Sequence, residues 1–290
     1  MSWRTVIITK SAKLDYKMGY LCIRQDEVKK IHISEIALLL LETTAISLTS
    51  SLLCELTKKK VKVIFCDEKR NPISELVGYY GSHDCSAKIR LQVNWDNDTK
   101  AMIWTEIVTE KIRKQMEFLE VLSRSESKLL GEYVRDVSIG DVTNREGHAA
   151  KVYFNAVYGM EFTRTSEDPI NAALNYGYSI ILSAFTREIV ASGYLTQLGV
   201  FHDNMFNQFN LASDLMEPFR ILVDRCVYYM KPKKLEHDEK MEIVNILNEE
   251  IVIDGKKQYV VNAIRIYVKS VFDAINEKDV SLIRFYRNEL

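Results

Sequence analysis

Three segments of the chain carry side chains able to do chemistry together. The first is Asn144-Arg145-Glu146-Gly147-His148-Ala149-Ala150. On a helix Glu146 shares a face with Ala150, Tyr153 and Val157, since those offsets stack at about 3.6 residues per turn. A carboxylate on an apolar face must find a cation, a metal or a proton, because burying it unpaired costs about 5 kcal/mol or more. A salt bridge to an arginine, or a helix rotated to bring Glu146 to solvent, meets the same need. The second segment, Gly199-Val200-Phe201-His202, offers an imidazole; the third, Ser213-Asp214-Leu215-Met216-Glu217-Pro218-Phe219-Arg220, offers two carboxylates three residues apart. On a helix Asp214 and Glu217 share a face. Pro218 fits best in a first turn, so that helix is expected to begin close to Ser213. Singly, each has a bland counterpart: a histidine satisfied within the fold, and a solvated acidic pair. Together, two carboxylates and a neutral imidazole form a hard, mostly oxygen site that suits Mg2+ or Mn2+ better than zinc. Such an ion activates a hydroxyl nucleophile and neutralises charge on a phosphodiester.

Arginine forks suit phosphate oxygens, which makes Arg164, Arg187, Arg220 and Arg225 candidate phosphate contacts. Pairing with Glu146, Asp214 or Asp224 to hold helices together is the competing use. Asn171 and Asn175 lie on one helical face and are read mainly as structural, with Tyr176 and Tyr178 as core or interface residues.

The elements that must position these residues fall into two groups. Arg4 to Thr9, Tyr20 to Arg24 and Val61 to Phe65 are rich in β-branched and aromatic residues and read as strands. A helix is expected over Ser47 to Leu56, with Leu48, Leu52 and Leu53 on one face. Glycines and turn formers in Gly78-Tyr79-Tyr80-Gly81-Ser82-His83-Asp84 mark a boundary. Beyond it, residues 99–122, Tyr178 to Val190 and Ala263 to Ile275 repeat apolar residues at helical spacing. The expectation is an α+β chain: a small β-rich N-terminal domain over residues 1–80, then a larger all-α catalytic domain over 81–290.

Composition narrows the class. With 290 residues, 47% hydrophobic and 27% charged, and only 11 Gly and 4 Pro, the chain is globular and long enough for two domains. The longest apolar run, Ile36 to Leu41, is far short of the roughly 20 residues of a membrane span. Met1-Ser2-Trp3-Arg4 has no signal-peptide character, so the expected location is the cytoplasm, with no membrane partner. The scattered Cys22, Cys54, Cys66, Cys85 and Cys226 indicate neither a zinc site nor a disulfide framework. A net charge of −1 means that any DNA surface must come from local segregation of charge, with candidates at Lys58-Lys59-Lys60-Val61-Lys62 and Lys231-Pro232-Lys233-Lys234.

The wording of these segments, with Pro169-Ile170-Asn171-Ala172-Ala173-Leu174-Asn175-Tyr176-Gly177-Tyr178, resembles the signatures of the CRISPR adaptation integrases. The resemblance covers essentially the whole chain, including Leu39-Leu40-Leu41-Glu42-Thr43-Thr44 and Val63-Ile64-Phe65-Cys66-Asp67, and looks closest to the type II-A branch. It implies that Glu146 stands for the glutamate of E-G-x-A-A, His202 for the histidine of G-x-x-H and Glu217 for the last acid of D-L-x-E/D. These three would be the catalytic residues and metal ligands, with Asp214 a supporting or additional ligand. Glu217 stands where many branches have aspartate, and Ile221 where relatives often have proline.

The resemblance further implies a homodimer whose N-terminal domain serves dimerisation and partner contact. Two such dimers would flank a dimer of a small second adaptation protein, with type II-A accessory proteins and the effector nuclease as further partners. The DNA partners would be double-stranded: a prespacer and the CRISPR repeat. The implied activity is joining of prespacer ends to the repeat by metal-dependent transesterification, with no serine or tyrosine nucleophile. Two other classes share the same residues: a stand-alone metal nuclease acting on branched or double-stranded DNA, and a non-catalytic DNA-binding scaffold. A carboxylate retained on an apolar helix face argues against the scaffold.

Overall fold

The computed structural model describes residues 4–76, 78 and 82–287. Within the expected boundary segment Tyr79, Tyr80 and Gly81 lie outside the described residues, as do Met1, Ser2 and Trp3. The first part runs β1 (Arg4–Ile8), β2 (Ala12–Lys17), β3 (Tyr20–Arg24), β4 (Val28–His32), β5 (Ile36–Leu41), β6 (Ile46–Leu48), α1 (Ser50–Lys58), β7 (Lys62–Cys66) and β8 (Pro72–Leu76). Two four-stranded sheets result, in the orders β1-β5-β7-β8 and β4-β3-β2-β6. The expected helix from Ser47 begins three residues late. Ile46 to Leu48 instead extends alongside β2, and Thr49 caps α1 by accepting from the Leu52 N–H at 3.3 Å.

The run Ile36 to Leu41 is the hinge of the packing. β5 pairs in parallel with β1 and β7, and all six of its residues are buried. Leu39 and Leu41 join Leu14, Leu21, Leu52 and Leu56 in a β-side core. Leu38 and Leu40 face the other way, into the helical core. A parallel strand covered on both faces reads as an unbroken apolar run rather than an alternating one.

The second part runs α2 (Cys85–Val93), α3 (Asn97–Val121), α4 (Ser127–Asp136), α5 (Arg145–Tyr158), α6 (Pro169–Ala191), α7 (Asn210–Leu215), α8 (Arg220–Met230), α9 (His237–Asn245), β9 (Glu250–Ile253), β10 (Lys256–Tyr259), α10 (Val260–Glu277) and β11 (Tyr286–Arg287). It is mostly helical, not all-α: β10-β9-β11 form a small antiparallel sheet. The reason is local. Asp254 and Gly255 both have positive φ, 51° and 70°, the two-residue turn that matches the twist of a hairpin. No helix among the described residues is long and apolar enough to cross a membrane.

Polar ties join the parts. Glu42, at the end of β5, accepts from Arg70 at 3.1 Å and lies 3.1 Å from His237 Nδ1 on α9. Lys240 donates to the Lys69 carbonyl at 2.6 Å.

Candidate active site

Glu146 enters through the start of α5. Asn144 takes a left-handed conformation, φ 52°, and its side chain accepts from the Gly147 N–H at 3.3 Å. Asp141 accepts from the Arg145 and Glu146 N–H groups at 2.8 and 3.0 Å. A Cβ on Gly147 would lie 2.7 Å from the Asn144 Oδ1, so the glycine after Glu146 is required by the cap. Ala149, Tyr153 and Val157 form the buried face of α5, and the Glu146 side chain is 28% exposed at its edge. Its partner is Lys111 of α3, not an arginine.

His202 lies in the loop between α6 and α7. Asp214, with no exposed surface, gathers that loop: it accepts from the backbone N–H of Val200 (2.7 Å), Phe201 (3.0 Å) and His202 (3.1 Å), and from His202 Nδ1 (2.5 Å). A Cβ on Gly199 would meet the His202 carbonyl at 2.3 Å and Asp214 Oδ2 at 2.6 Å, which accounts for the glycine of the Gly199-x-x-His202 spacing. Because a carboxylate only accepts, Nδ1 carries the proton, and Nε2 is the ring nitrogen left for a metal or a proton. Phe201 stacks on Trp104 of α3, ring centroids 4.3 Å apart at 2°, and Trp104 meets the His202 ring edge-on at 5.8 Å.

Glu217 is 4% exposed and sits in a 3-10 turn, Glu217–Phe219, between α7 and α8. This corrects the expected helix start. α7 begins at Asn210, and Pro218 falls in the break between two helices, where no regular hydrogen bond is lost. Asp214 and Glu217 therefore serve different neighbours. Glu217 lies 2.5 Å from Lys111 Nζ through Oε2 and 2.9 Å from Arg220 Nε through Oε1.

Lys111 thus contacts both glutamates, and motif reasoning missed it. Its signal was periodic: on α3 Ile103, Trp104, Ile107, Val108, Ile112, Phe118 and Leu119 are buried, and Lys111 falls inside that stripe. Burial disfavours its ammonium, but Glu217 and Glu146 outweigh burial and raise its pKa. Burial likewise works against the Glu217 carboxylate, and Arg220 and Lys111 outweigh it to lower the pKa. The Asp214 hydrogen bond raises the His202 pKa against burial, with further raising by the charges of Asp214, Glu217 and Glu146. The three motif residues thus share one electrostatic neighbourhood.

Among the described residues no three His, Cys, Asp or Glu side chains converge tightly enough to form a ligand cluster as they stand, and Lys111 contacts both glutamates. The donor set nonetheless fits a hard divalent ion: two carboxylates, an imidazole with Nε2 free of Asp214, and a buried Glu217 Oε2 whose contact with Lys111 lacks hydrogen-bond geometry.

The arginines separate. Arg220 pairs with Glu217 and lies 4.7 Å over the Tyr178 ring. Arg164 donates to Asn171 and, at 2.7 Å, to Asn175, so both asparagines act within the chain. Arg164, Arg220, Lys111 and Gln115 line a cavity of about 60 Å³ with Tyr178 and Asp224. Arg187 instead ties α6 to the β part, donating to the Lys60 carbonyl at 2.8 Å and pairing with Glu188. Arg225 is half-buried on α8, where its charge acts on Glu249.

The profile of the family described as CRISPR associated protein Cas1 matches residues 5–251. The CRISPR-associated endonuclease Cas1 of Neisseria meningitidis serogroup C is 30% identical, over 98% of this chain and 96% of its own. A Francisella tularensis subsp. novicida relative of the same description is 24% identical over 89% of this chain and 88% of its own. Among solved structures, a casposase bound to integration product aligns with TM-score 0.76 and 19% identity, over 97% of this chain and 92% of that one. A Cas1 protein from Thermotoga maritima gives 0.75 and 16%, over 94% and 97%. A Cas6-RT-Cas1–Cas2 complex gives 0.74 and 17%, this chain covering 99% of itself and 36% of that longer chain. Profile, relatives and fold agree over nearly the full length, and the chain belongs to the Cas1 family.

Proposed function

We propose that this chain is the integrase subunit of CRISPR spacer acquisition, joining prespacer DNA ends to the repeat with Mg2+ or Mn2+ held by Glu146, His202 and Glu217. The observation that carries the reading is convergence: glutamates from two separate elements meet at one buried lysine, both glutamate charges act on the carboxylate-oriented His202, and Arg220 and Arg164 line the adjoining cavity. The relatives' description as endonucleases, the casposase and its integration product, and the Cas1–Cas2 assembly among the structural neighbours all support it. The Cas1–Cas2 assembly supports a second adaptation protein as partner, and the casposase's integration product supports DNA as substrate. Homodimerisation through the β part, flanking of the partner by two dimers, and type II-A accessory proteins belong to the same proposal.

A bound ion would polarise the phosphate and lower the pKa of the attacking hydroxyl. The chain's own residues do the rest. Asp214 fixes the orientation and tautomer of His202, leaving Nε2 available. Arg220, Arg164 and Lys111 supply positive charge for the non-bridging phosphate oxygens. In the reaction the terminal hydroxyl of the prespacer forms one P–O bond as the repeat strand's P–O bond breaks. The proton lost by the attacking oxygen is gained by the leaving oxygen, so no water and no redox partner are consumed.

The test uses purified protein, prespacer, repeat DNA and the small partner. Glu146→Ala is expected to lower strand transfer about a hundredfold or more while prespacer binding persists. Integration by a folded Glu146→Ala variant at the parent rate would remove Glu146 from the site. Cleavage of branched DNA with no joining to the repeat would instead favour the stand-alone nuclease.

A further inference from the structure

Lys111 is the one cation in contact, among the described residues, with both glutamates assigned above to a divalent ion. An ammonium and a dication drawn to the same carboxylates repel each other and so compete for them. The lysine also has somewhere to go. Gln115, one helical turn along α3, is buried with its Oε1 unpartnered, and it lines the same small cavity as Lys111, Arg164, Arg220 and the carboxylate of Asp224. Three cations, Lys111, Arg164 and Arg220, face two carboxylates, Glu217 and Asp224, around that cavity, an excess of positive charge that suits a phosphate oxygen. A flexible four-carbon stem lets the Lys111 head turn from the glutamates toward that phosphate.

We propose that Lys111 is a tethered cation that competes with the metal for Glu146 and Glu217 and releases them when a DNA phosphate takes its ammonium. The inference rests on the metal-binding reading of those glutamates. Its consequence is coupling: the protein holds Mn2+ weakly without DNA and tightly with it, which keeps the ion from acting before the substrate is seated.

Mn2+ affinity is measured by calorimetry at fixed pH, with and without a prespacer duplex whose reactive ends lack the hydroxyl. In the parent protein the duplex is expected to tighten Mn2+ binding roughly tenfold or more. Lys111→Met is expected to bind Mn2+ roughly tenfold tighter than the parent without DNA, and the duplex should then add little. Lys111→Arg keeps the charge and should hold Mn2+ no more tightly than the parent. A parent affinity indifferent to DNA overturns the proposal whether or not Lys111→Met folds, as does a folded Lys111→Met that binds Mn2+ no better than the parent. If the parent and a folded Glu146→Ala/Glu217→Ala variant bind Mn2+ equally, the ion lies elsewhere and the underlying metal reading fails with it.

Discussion

The β-side core, around Leu14, Leu21, Leu39 and Leu52, is built from apolar side chains alone, while the helical core is threaded by buried Glu110, Lys111, Lys114, Glu188, Asp214, Glu217 and Asp224. The buried charges of the β part, Glu42 and Lys62, lie where it meets the helices: Glu42 against His237, Lys62 in a pocket with Thr186 and Arg187. Buried ion pairs are poor sources of stability, because desolvation offsets most of their attraction. Lys111, Asp214, Glu217 and Asp224 gather at the candidate site, where the proposed chemistry would account for them, whereas Glu110 and Lys114 pair with each other and Glu188 with Arg187. The β part stabilises through area removed from water, and the helical part gives up stability to place charge.

The comparison is broken most severely at Glu217. Glu217→Ala takes away the contact of Lys111 at 2.5 Å and of Arg220 at 2.9 Å, leaving two cations underpaired in the interior. Removing one partner of a buried pair costs about 3–5 kcal/mol, and urea unfolding should read a loss of that size. A loss under about 1 kcal/mol would mean that the cations are re-paired at no cost, and the helical core would be no more charge-dependent than the β part.

On the other side, Leu39→Ala removes a fully buried side chain from the middle strand of the larger parallel pairing. The expected cost is about 2–5 kcal/mol from lost burial and the cavity left behind. Because no charge is involved, the loss should be the same at low and high salt. A strong salt dependence would show that the two cores are not independent in the way their compositions suggest.

How much of this could be read in the sequence depended on which force was deciding. Tyr20 to Arg24 is a strand as expected, since β-branched and aromatic residues between turns leave little alternative. α6 begins at Pro169, nine residues before the periodic stretch read from Tyr178: Asp168 caps it by accepting from the Asn171 N–H at 2.9 Å, and Pro169 occupies the first turn. The Asp254-Gly255 hairpin was legible by the same local chemistry and was overlooked under the helical periodicity around it. At the site, motif wording singled out Glu146, His202, Asp214 and Glu217. Lys111 carries no motif and is recognisable only as a charge inside an apolar stripe, whose meaning depends on which residues of other helices lie opposite. That is tertiary information, and spacing within one helix does not contain it.

The smallest expected effect sharpens the comparison by titrating a buried charge. Asp224 is enclosed by α8 and α6, with Tyr178 donating to its carboxylate and Arg220 and Arg164 nearby. Burial pushes its pKa from 3.8 up to about 6, against the lowering by the Tyr178 hydrogen bond and the arginines. Between those values the folded protein holds a proton that the unfolded chain has released, so stability falls as pH rises through the window. Below it both states are protonated, and above it both are ionised, so the loss is then complete. A shift of this size corresponds to at most about 3 kcal/mol, and about 1–3 is expected once relaxation is allowed for. Asp224→Asn keeps an acceptor for Tyr178 and removes the titration. Urea midpoints at pH 4.5 and 7 should therefore show the variant gaining on the parent protein as pH rises, while Leu39→Ala and its parent keep a constant separation. Parallel pH profiles for Asp224→Asn and the parent would mean that Arg220 and Arg164 fully compensate the buried carboxylate, and that the charge in the helical core carries no standing cost at this position.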